Sequence, residues 1–445
     1  MKDIEFHPAR VLAVSFLAAI LVGTVLLSLP FCTSEGRTTD ALDALFTATS
    51  AVCVTGLIVK DTPNHFSPAG QVVILALLQL GGLGIMTFST LILLTARRKV
   101  AVRERLLIQA SFHPGIPKDF PSLVRGIFLF TFGIEAAGAA ALFLWFYPRF
   151  GAGRGIELAV FHSVSAFCNA GFSLFSDSLS GYRGHAGLVL TVAALIVLGG
   201  IGFPVLRESV ALAAARLQGR RFQTTLHFKI VVATTLILVI AGGAGIYVLE
   251  RGASMAAYPE GEKVLASLFQ GITPRTAGFN SVPIETLGSA SVLFLIFLMF
   301  IGASPASTGG GVKTTTAAVL ALIVRARARA RDSIPAFHRT LGPEIAVRAA
   351  TLIALGLLVI FAAGTALLAV QPGLGMKEAL FEVFSAFGTV GLSLGVTPGL
   401  TPAGKVVVIL TMFVGRVGPL TLLYAVSRRK PRGHYTYAEE SLLVG

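Results

Sequence analysis

The chain is built of long apolar runs separated by short polar connections. The runs fall near Ala9–Leu29, Ala69–Thr95, Pro121–Tyr147, His185–Ala214, Phe228–Glu250, Gly288–Ile323, Glu344–Val370 and Pro402–Ser427. A helix needs about 20 apolar residues to cross a bilayer, so the pattern predicts eight transmembrane helices. Between the members of each successive pair lies a shorter amphipathic stretch: Asp40–Val52, Gly155–Phe167, Gly261–Thr273 and Met376–Phe387. About a dozen residues cannot span, so these stretches are expected to dip into the membrane as short helices and return to the same side. The first run, Val11–Leu29, is too long for a signal-peptide core and lacks a cleavage site, so it is expected to persist as a helix.

The ends of the short stretches align with one another. They read Ser50-Ala51-Val52-Cys53-Val54-Thr55-Gly56-Leu57, Ser165-Ala166-Phe167-Cys168-Asn169-Ala170-Gly171-Phe172, Gly271-Ile272-Thr273-Pro274-Arg275-Thr276-Ala277-Gly278-Phe279 and Ser385-Ala386-Phe387-Gly388-Thr389-Val390-Gly391-Leu392. A second glycine cluster follows each signature: Gly81-Gly82-Leu83-Gly84, Gly199-Gly200-Ile201-Gly202, Gly302 onward, and Gly415-Arg416-Val417-Gly418. Two glycine signals in one register mark internal repeats. The expected fold is therefore an all-α integral membrane protein with eight transmembrane helices in four helix–pore-helix–helix pseudo-repeats around one central ion pore. The repeats are expected at residues 1–100, 101–222, 223–332 and 333–427, with a cytoplasmic tail at 428–445. Only the third is expected to have a broken second helix.

Composition supports the membrane reading: 54% of residues are hydrophobic and only 13% are charged, against about 25% charged in soluble domains. The net charge of +14 would suit nucleic acid, but its distribution excludes that reading. Four segments hold 17 of the 36 basic residues: Arg97-Arg98-Lys99 with Arg103 and Arg105; Arg216, Arg220, Arg221 and Lys229; Arg325, Arg327, Arg329 and Arg331; Arg428-Arg429-Lys430 with Arg432. Each follows the second helix of a repeat, so the positive-inside rule puts these segments and both termini in the cytoplasm. The cysteines Cys32, Cys53 and Cys168 have no metal-type spacing.

Non-helical backbone at membrane depth is tolerated where protein buries it or where it lines a watery path. Four re-entrant segments meeting on one axis could turn their carbonyls on a cation in place of its hydration shell, as potassium-channel loops reading Thr-Val-Gly-Tyr-Gly do. Thr389-Val390-Gly391 repeats the first three letters of that loop. Glycine serves because it adopts positive φ without a Cβ clash, and the short helices would point their partially negative ends at the ion. The expected filter comprises Cys53, Val54, Thr55 and Gly56; Cys168, Asn169, Ala170 and Gly171; Arg275, Thr276, Ala277 and Gly278; and Gly388, Thr389, Val390 and Gly391, with K+ held by backbone carbonyls. One such glycine could equally be a helix cap or a packing contact, whereas four in register favour the filter. Arg275 is expected to point its side chain behind the filter to an acidic partner.

The sixth run is interrupted by Gly302-Ala303-Ser304-Pro305-Ala306-Ser307-Thr308-Gly309-Gly310-Gly311-Val312-Lys313-Thr314. Three consecutive glycines and a proline do not sustain a helix, and the position fits a gate loop below the filter. A phosphate-binding loop is rejected because Val312 intervenes between Gly311 and Lys313. Arg416 lies inside the last apolar run, where a cation is costly; it could form a barrier, pair with the gate loop or make a structural ion pair. Lys313 could simply mark the inner half of its helix, and Glu135, in the third run, could be no more than a buried hydrogen-bonding group.

These residues resemble the membrane subunit of the Trk/Ktr/HKT potassium-transporter superfamily, most nearly its eight-span KtrB type, over residues 9–427. The third signature, Thr273 to Phe279, is the most specific mark. The resemblance implies that Gly56, Gly171, Gly278 and Gly391 are equivalent filter positions, and that glycine at all four favours potassium. It also implies a bacterial-type inner (plasma) membrane as location, a homodimer in membrane lipid, a cytosolic nucleotide-binding regulatory ring as partner, Na+ as activator and no bound cofactor. An alternating-access cation symporter could also carry repeats and broken helices, but around a closed midplane site. An intramembrane enzyme is disfavoured, since His-Glu-x-x-His does not occur and no paired-carboxylate site lies within the apolar runs.

Overall fold

The computed structural model describes residues 8–98 and 120–426. The basic residues Lys99, Arg103, Arg105, Arg428, Arg429, Lys430 and Arg432, and the tail 428–445, lie outside the described residues.

The described chain is mostly helical, and the helices recur in one order. The first unit is α1 (Pro8–Ser28), the short α2 (Ala41–Val52), the single turn α3 (Thr62–His65) and α4 (Pro68–Arg98). Asp40 starts α2 by accepting the amides of Leu42 and Asp43 at 3.0 and 3.4 Å, satisfying donors that a helix start leaves free. In the second unit a span and a short helix run together as α5 (Phe120–Phe167), bent around Pro148 and Gly151, whose φ of 71° is not helical. Then come α6 (Ala186–Ile201) and α7 (Phe203–Leu217). The third unit holds α8 (Leu226–Glu250), the short α9 (Glu260–Ile272), α10 (Ser289–Phe300) and α11 (Thr314–Arg327). A small antiparallel hairpin follows, β1 (Ile334–Ala336) with β2 (Arg339–Leu341), Ile334 opposite Leu341. The fourth unit is α12 (Pro343–Val370), the short α13 (Met376–Gly388), α14 (Pro402–Val417) and α15 (Pro419–Val426).

Helix α1, the long part of α5, α8 and α12 are long and apolar enough to cross a membrane, and α6 with α7 makes a fifth such unit if the bent pair is one span. Large apolar side chains such as Leu21, Leu144, Ile240 and Phe361 stand exposed on these helices, as a lipid-facing surface requires.

The second helices differ from expectation. A break was expected only in the third unit, yet α6 and α7 meet at 106° across Gly202, and α14 ends at Gly418. Both glycines have positive φ, 92° and 88°, and each has a proline close behind, Pro204 and Pro419. A left-handed residue followed by one without an N–H ends a helix. The break at Gly202 also admits a neighbour: Phe203 N donates to Ala306 O of the third unit at 3.0 Å. A Cβ on Gly202 would meet Pro305 O at 2.5 Å.

The second glycine cluster explains how the short helices are seated. Added Cβ atoms on Gly81, Gly199 and Gly415 would strike the carbonyl oxygens of Val52, Phe167 and Phe387 respectively, each at the end of a short helix. The three contacts are equivalent, four residues before the signature glycine in each case. In the third unit α10 has already ended, and Gly302 packs on Gly310 instead. First and fourth units are tied by Lys405 Nζ, 2.5 Å from the buried carboxylate of Asp43, which Lys60 approaches at 3.4 Å.

Gly199→Ala drives a methyl into the Phe167 carbonyl, and overpacking of this kind costs about 1–3 kcal/mol. A thermal melt of the detergent-purified chain should show a clearly lowered midpoint for Gly199→Ala. Gly153→Ala, at an exposed site with open space around it, should melt like the parent. Equal midpoints for all three would refute the seating contact.

Candidate ion-conduction site

Each short helix runs out into an extended segment with the same backbone rhythm. The signature glycines have positive φ: Gly56 94°, Gly171 70°, Gly278 77° and Gly391 92°. So do the residues two positions earlier, none of them glycine: Val54 55°, Asn169 59°, Thr276 70° and Thr389 50°. Left-handed backbone is uncommon at non-glycine residues, and for β-branched ones it is an outlier. Its recurrence at four equivalent places shows that the surrounding packing imposes it.

These segments meet in a closed ring. A Cβ on Gly56 would strike Ala170 O and lie 3.1 Å from Gly171 Cα. On Gly171 it would meet Gly278 Cα at 2.8 Å and Ala277 O at 2.9 Å. On Gly278 it would meet Val390 O at 2.5 Å and Gly391 Cα at 3.3 Å, and on Gly391 it would strike Thr55 O and lie 3.0 Å from Gly56 Cα. Each glycine thus faces the carbonyl that precedes the next unit's glycine, in chain order and back to the start. The structure brings all four signatures together.

The ring is braced from behind by hydroxyls that the sequence reading passed over. Ser50 Oγ accepts Gly56 N–H at 3.0 Å and Ser385 Oγ accepts Gly391 N–H at 3.1 Å. Ser165 Oγ donates to Phe172 O at 2.7 Å and Thr273 Oγ1 to Phe279 O at 2.5 Å. The signal was present, since three of the four signatures begin with serine. Glu382, also passed over, is buried behind the fourth segment and accepts Ser393 Oγ at 2.8 Å and Thr397 Oγ1 at 2.5 Å. Glu135 accepts Gln79 Nε2 at 3.1 Å and sits 3.9 Å from Cys168 Sγ, behind the second segment. Cys53 and Cys168 are free and buried.

Arg275 departs from expectation. It is buried, but its guanidinium reaches Thr235 Oγ1 at 3.4 Å, and among the described residues no carboxylate lies within ion-pair distance. The acidic partner is replaced by a hydroxyl because α8 presents threonine there.

One face of the ring opens into a cavity of about 510 Å³ lined by all four glycines and by Asp61, Asp177 and Glu285. The other face is covered by the irregular segment between α10 and α11, anchored at its base by Gly302 N donating to Val312 O at 2.8 Å. Gly310 N donates to Thr389 Oγ1 at 3.1 Å, the Asn169 amide lies 3.1 Å from Thr308 Oγ1, and a Cβ on Gly309 would strike Thr276 Oγ1. Ser304 N donates to Gly200 O at 2.9 Å, and Ser307 Oγ to Ser304 O at 2.6 Å. Ala303, Ser304, Ser307, Thr308, Gly309 and Gly310 are buried. Two cations hold the segment. Lys313 Nζ donates to Gly309 O at 2.7 Å, and Arg416 donates to Thr308 O and, at 2.7 Å, to Gly81 O. Arg416 therefore binds carbonyls rather than an acid, and Lys313 precedes α11 instead of lying within it.

A sequence profile described as "TrkH: Cation transport protein" matches residues 8–437. The chain belongs to the TrkH cation transport family. Among curated relatives of this TrkH-family chain, Ktr system potassium uptake protein B of Bacillus subtilis is 38% identical, covering 100% of this chain and 98% of its own length. Potassium/sodium uptake protein NtpJ of Enterococcus hirae is 37% identical over 99% of this chain and 98% of the relative. The crystal structure of the potassium transporter TrkH from Vibrio parahaemolyticus superimposes with a TM-score of 0.76 at 20% identity, covering 96% of this chain and 87% of that one. The likeness supports the multi-pass membrane fold, and the resemblance drawn from the signatures is borne out. A family of transport proteins also agrees with the reading of a non-enzyme.

In this TrkH-family chain Ser50→Ala leaves the buried Gly56 N–H without its acceptor, a loss worth about 1–3 kcal/mol. Thermal midpoint should fall, and Ser50→Thr, which keeps a hydroxyl, should recover most of it. A Ser50→Ala protein as stable as the parent would remove the brace from the account.

Proposed function

We propose that the chain is the membrane subunit of a potassium-uptake system, conducting K+ through the glycine ring as a channel-like filter. The observation that carries this reading is the closed ring in which four positive-φ glycines each abut the next unit's carbonyl. Amide donors of the segments turn outward to Ser50 and Ser385, which leaves carbonyls for a dehydrated cation. The C-terminal ends of α2, α5, α9 and α13 add their dipoles to that field. The carboxylates of Asp61, Asp177 and Glu285 at the outer cavity raise the local cation concentration. The potassium-transport names of full-length relatives support the choice of ion.

The same proposal takes residues 1–100, 101–222, 223–332 and 333–427 as four pore repeats, with eight spans and cytoplasmic termini. The segment Gly302–Lys313 is the gate, held shut by Lys313 and Arg416. Homodimerisation, a cytosolic nucleotide-binding ring and sodium activation belong to it on the strength of the resemblance.

Potassium uptake in cells lacking their own uptake systems tests the filter. The parent should restore growth at low potassium, while Gly56→Ser and Gly278→Ser should weaken the preference for K+ over Na+ by about tenfold or more, since each Cβ enters a neighbouring carbonyl. Unchanged ion preference in both well-expressed variants would sink the filter. The gate is tested in proteoliposomes. A charge-assisted hydrogen bond is worth about 1.5–3 kcal/mol, so Lys313→Gln should raise K+ flux about tenfold while leaving ion preference intact. A folded Lys313→Gln protein with parental flux would argue that the segment is a fixed kink.

A further inference from the structure

Away from the ring, a groove of about 660 Å³ runs between α8 and α11 and ends at the β1–β2 hairpin. Its walls are apolar: Ile230 and Ile237 on α8, and Ala317, Ala321 and Leu322 on α11. The alanines keep that face of α11 narrow, which is why the two helices leave a channel between them. Ile301, where α10 ends, closes the inner end. At the outer end stand Arg325, Arg329 and Arg331. From Ala317 to Arg325 the groove follows α11 for about 12 Å at 1.5 Å per residue.

The arginines are not matched by protein. Arg327, on the same stretch, pairs with Asp332 at 3.1 Å. For Arg325, Arg329 and Arg331 no carboxylate lies within ion-pair distance among the described residues. Beside them the hairpin turns through Phe337 and His338, both at positive φ (47° and 63°), which leaves Phe337 half exposed at the rim. A half-exposed aromatic next to basic residues is the composition of a membrane interface. The end of α11 is also the end of the bundle away from the acidic cavity, because α10 leaves that cavity just after Glu285 and leads to the far side of the ring.

We propose that this groove binds an anionic phospholipid, with one acyl chain between α8 and α11 and the phosphate among Arg325, Arg329 and Arg331. Each buried methylene of the chain favours the bound lipid, and the unpaired guanidinium groups supply planar donors suited to phosphate. A solvated basic segment would need no apolar channel leading into it. The chain end would rest on Ile301, which pairs with Val312 across the base of the irregular segment. If that segment is the gate, as proposed above, a seated lipid biases it; the binding site itself does not depend on that reading.

Native mass spectrometry of the purified full chain, titrated with phosphatidylglycerol or phosphatidylcholine of identical chains, tests the site. Phosphatidylglycerol should be retained about tenfold better or more, at the order of fivefold expected per arginine. Arg325→Gln/Arg329→Gln/Arg331→Gln should abolish that advantage. Ala321→Trp, which fills the groove and keeps every charge, should lower retention as well. Arg220→Gln/Arg221→Gln, in another basic segment, should leave it unchanged, and glycerol phosphate should not compete. The proposal fails if both groove variants retain phosphatidylglycerol like the parent, or if the control pair loses as much. It also fails if glycerol phosphate competes as well as the lipid, or if Ala321→Trp releases a second copy of the chain in place of lipid.

Discussion

Four segments of this chain leave the helix where the protein buries them from water, and the rest of the structure answers that constraint. An amide or carbonyl stranded in such a place costs several kcal/mol, so every group needs a partner of fixed position. The amides find theirs locally. Thr55, Ala170 and Val390 N–H groups donate to the carbonyls of Ser50, Ser165 and Ser385, each at 2.8 Å. In the third unit Ala277 N donates to Thr273 O at 2.9 Å, one residue closer in sequence. These amides are thereby engaged within their own units, which leaves the carbonyls beside the ring glycines as acceptors. Separation of donors from acceptors is the physical basis of the proposed cation path.

The constraint propagates outward as a demand for absent side chains. A ring this tight leaves no room for Cβ at its four glycines, and the short helices that end on it must be held just as closely. Gly81, Gly199 and Gly415 supply that closeness by letting a helix backbone lie against the last carbonyls of α2, α5 and α13. A larger residue at any of them would move a short helix, and with it one quarter of the ring. The two sets of glycines act as one device, which is why their spacing repeats along the chain.

Much of this was legible before any coordinates. Three short helices fall within a residue or two of the stretches read from amphipathicity, the second agrees at its end, Phe167, and the ring glycines are the ones the alignment of signatures picked out. The failures have physical reasons. The breaks at Gly202 and Gly418 were missed because one glycine and one proline inside an apolar run look like tolerated kinks. What turns Gly202 into a break is the third unit's loop occupying the space, a tertiary fact. Positive φ at Val54, Asn169, Thr276 and Thr389 could not be foreseen, since local preference opposes it. The acid expected behind Arg275 rests on charge balance alone. Burial beside the hydroxyl of Thr235 replaces it, and the guanidinium Nε has no hydrogen-bond partner among the described residues.

The irregular segment beneath the ring uses the same chemistry with the roles fixed. Its consecutive carbonyls at Thr308, Gly309 and Gly310 point at cations, as ring carbonyls would, but the cations are the side chains of Arg416 and Lys313. On the proposed conduction path, an ion arriving from the ring would meet acceptors already occupied and two basic side chains. Such a barrier does not need bulk; three glycines suffice, provided the charges stay in place. If the segment is the gate proposed above, opening requires Lys313 and Arg416 to exchange these carbonyls for other acceptors. Arg416 already bonds Gly81 O, a residue of the seating contact on α2, so a shift of α4 would pull on the barrier and on the first quarter of the ring together.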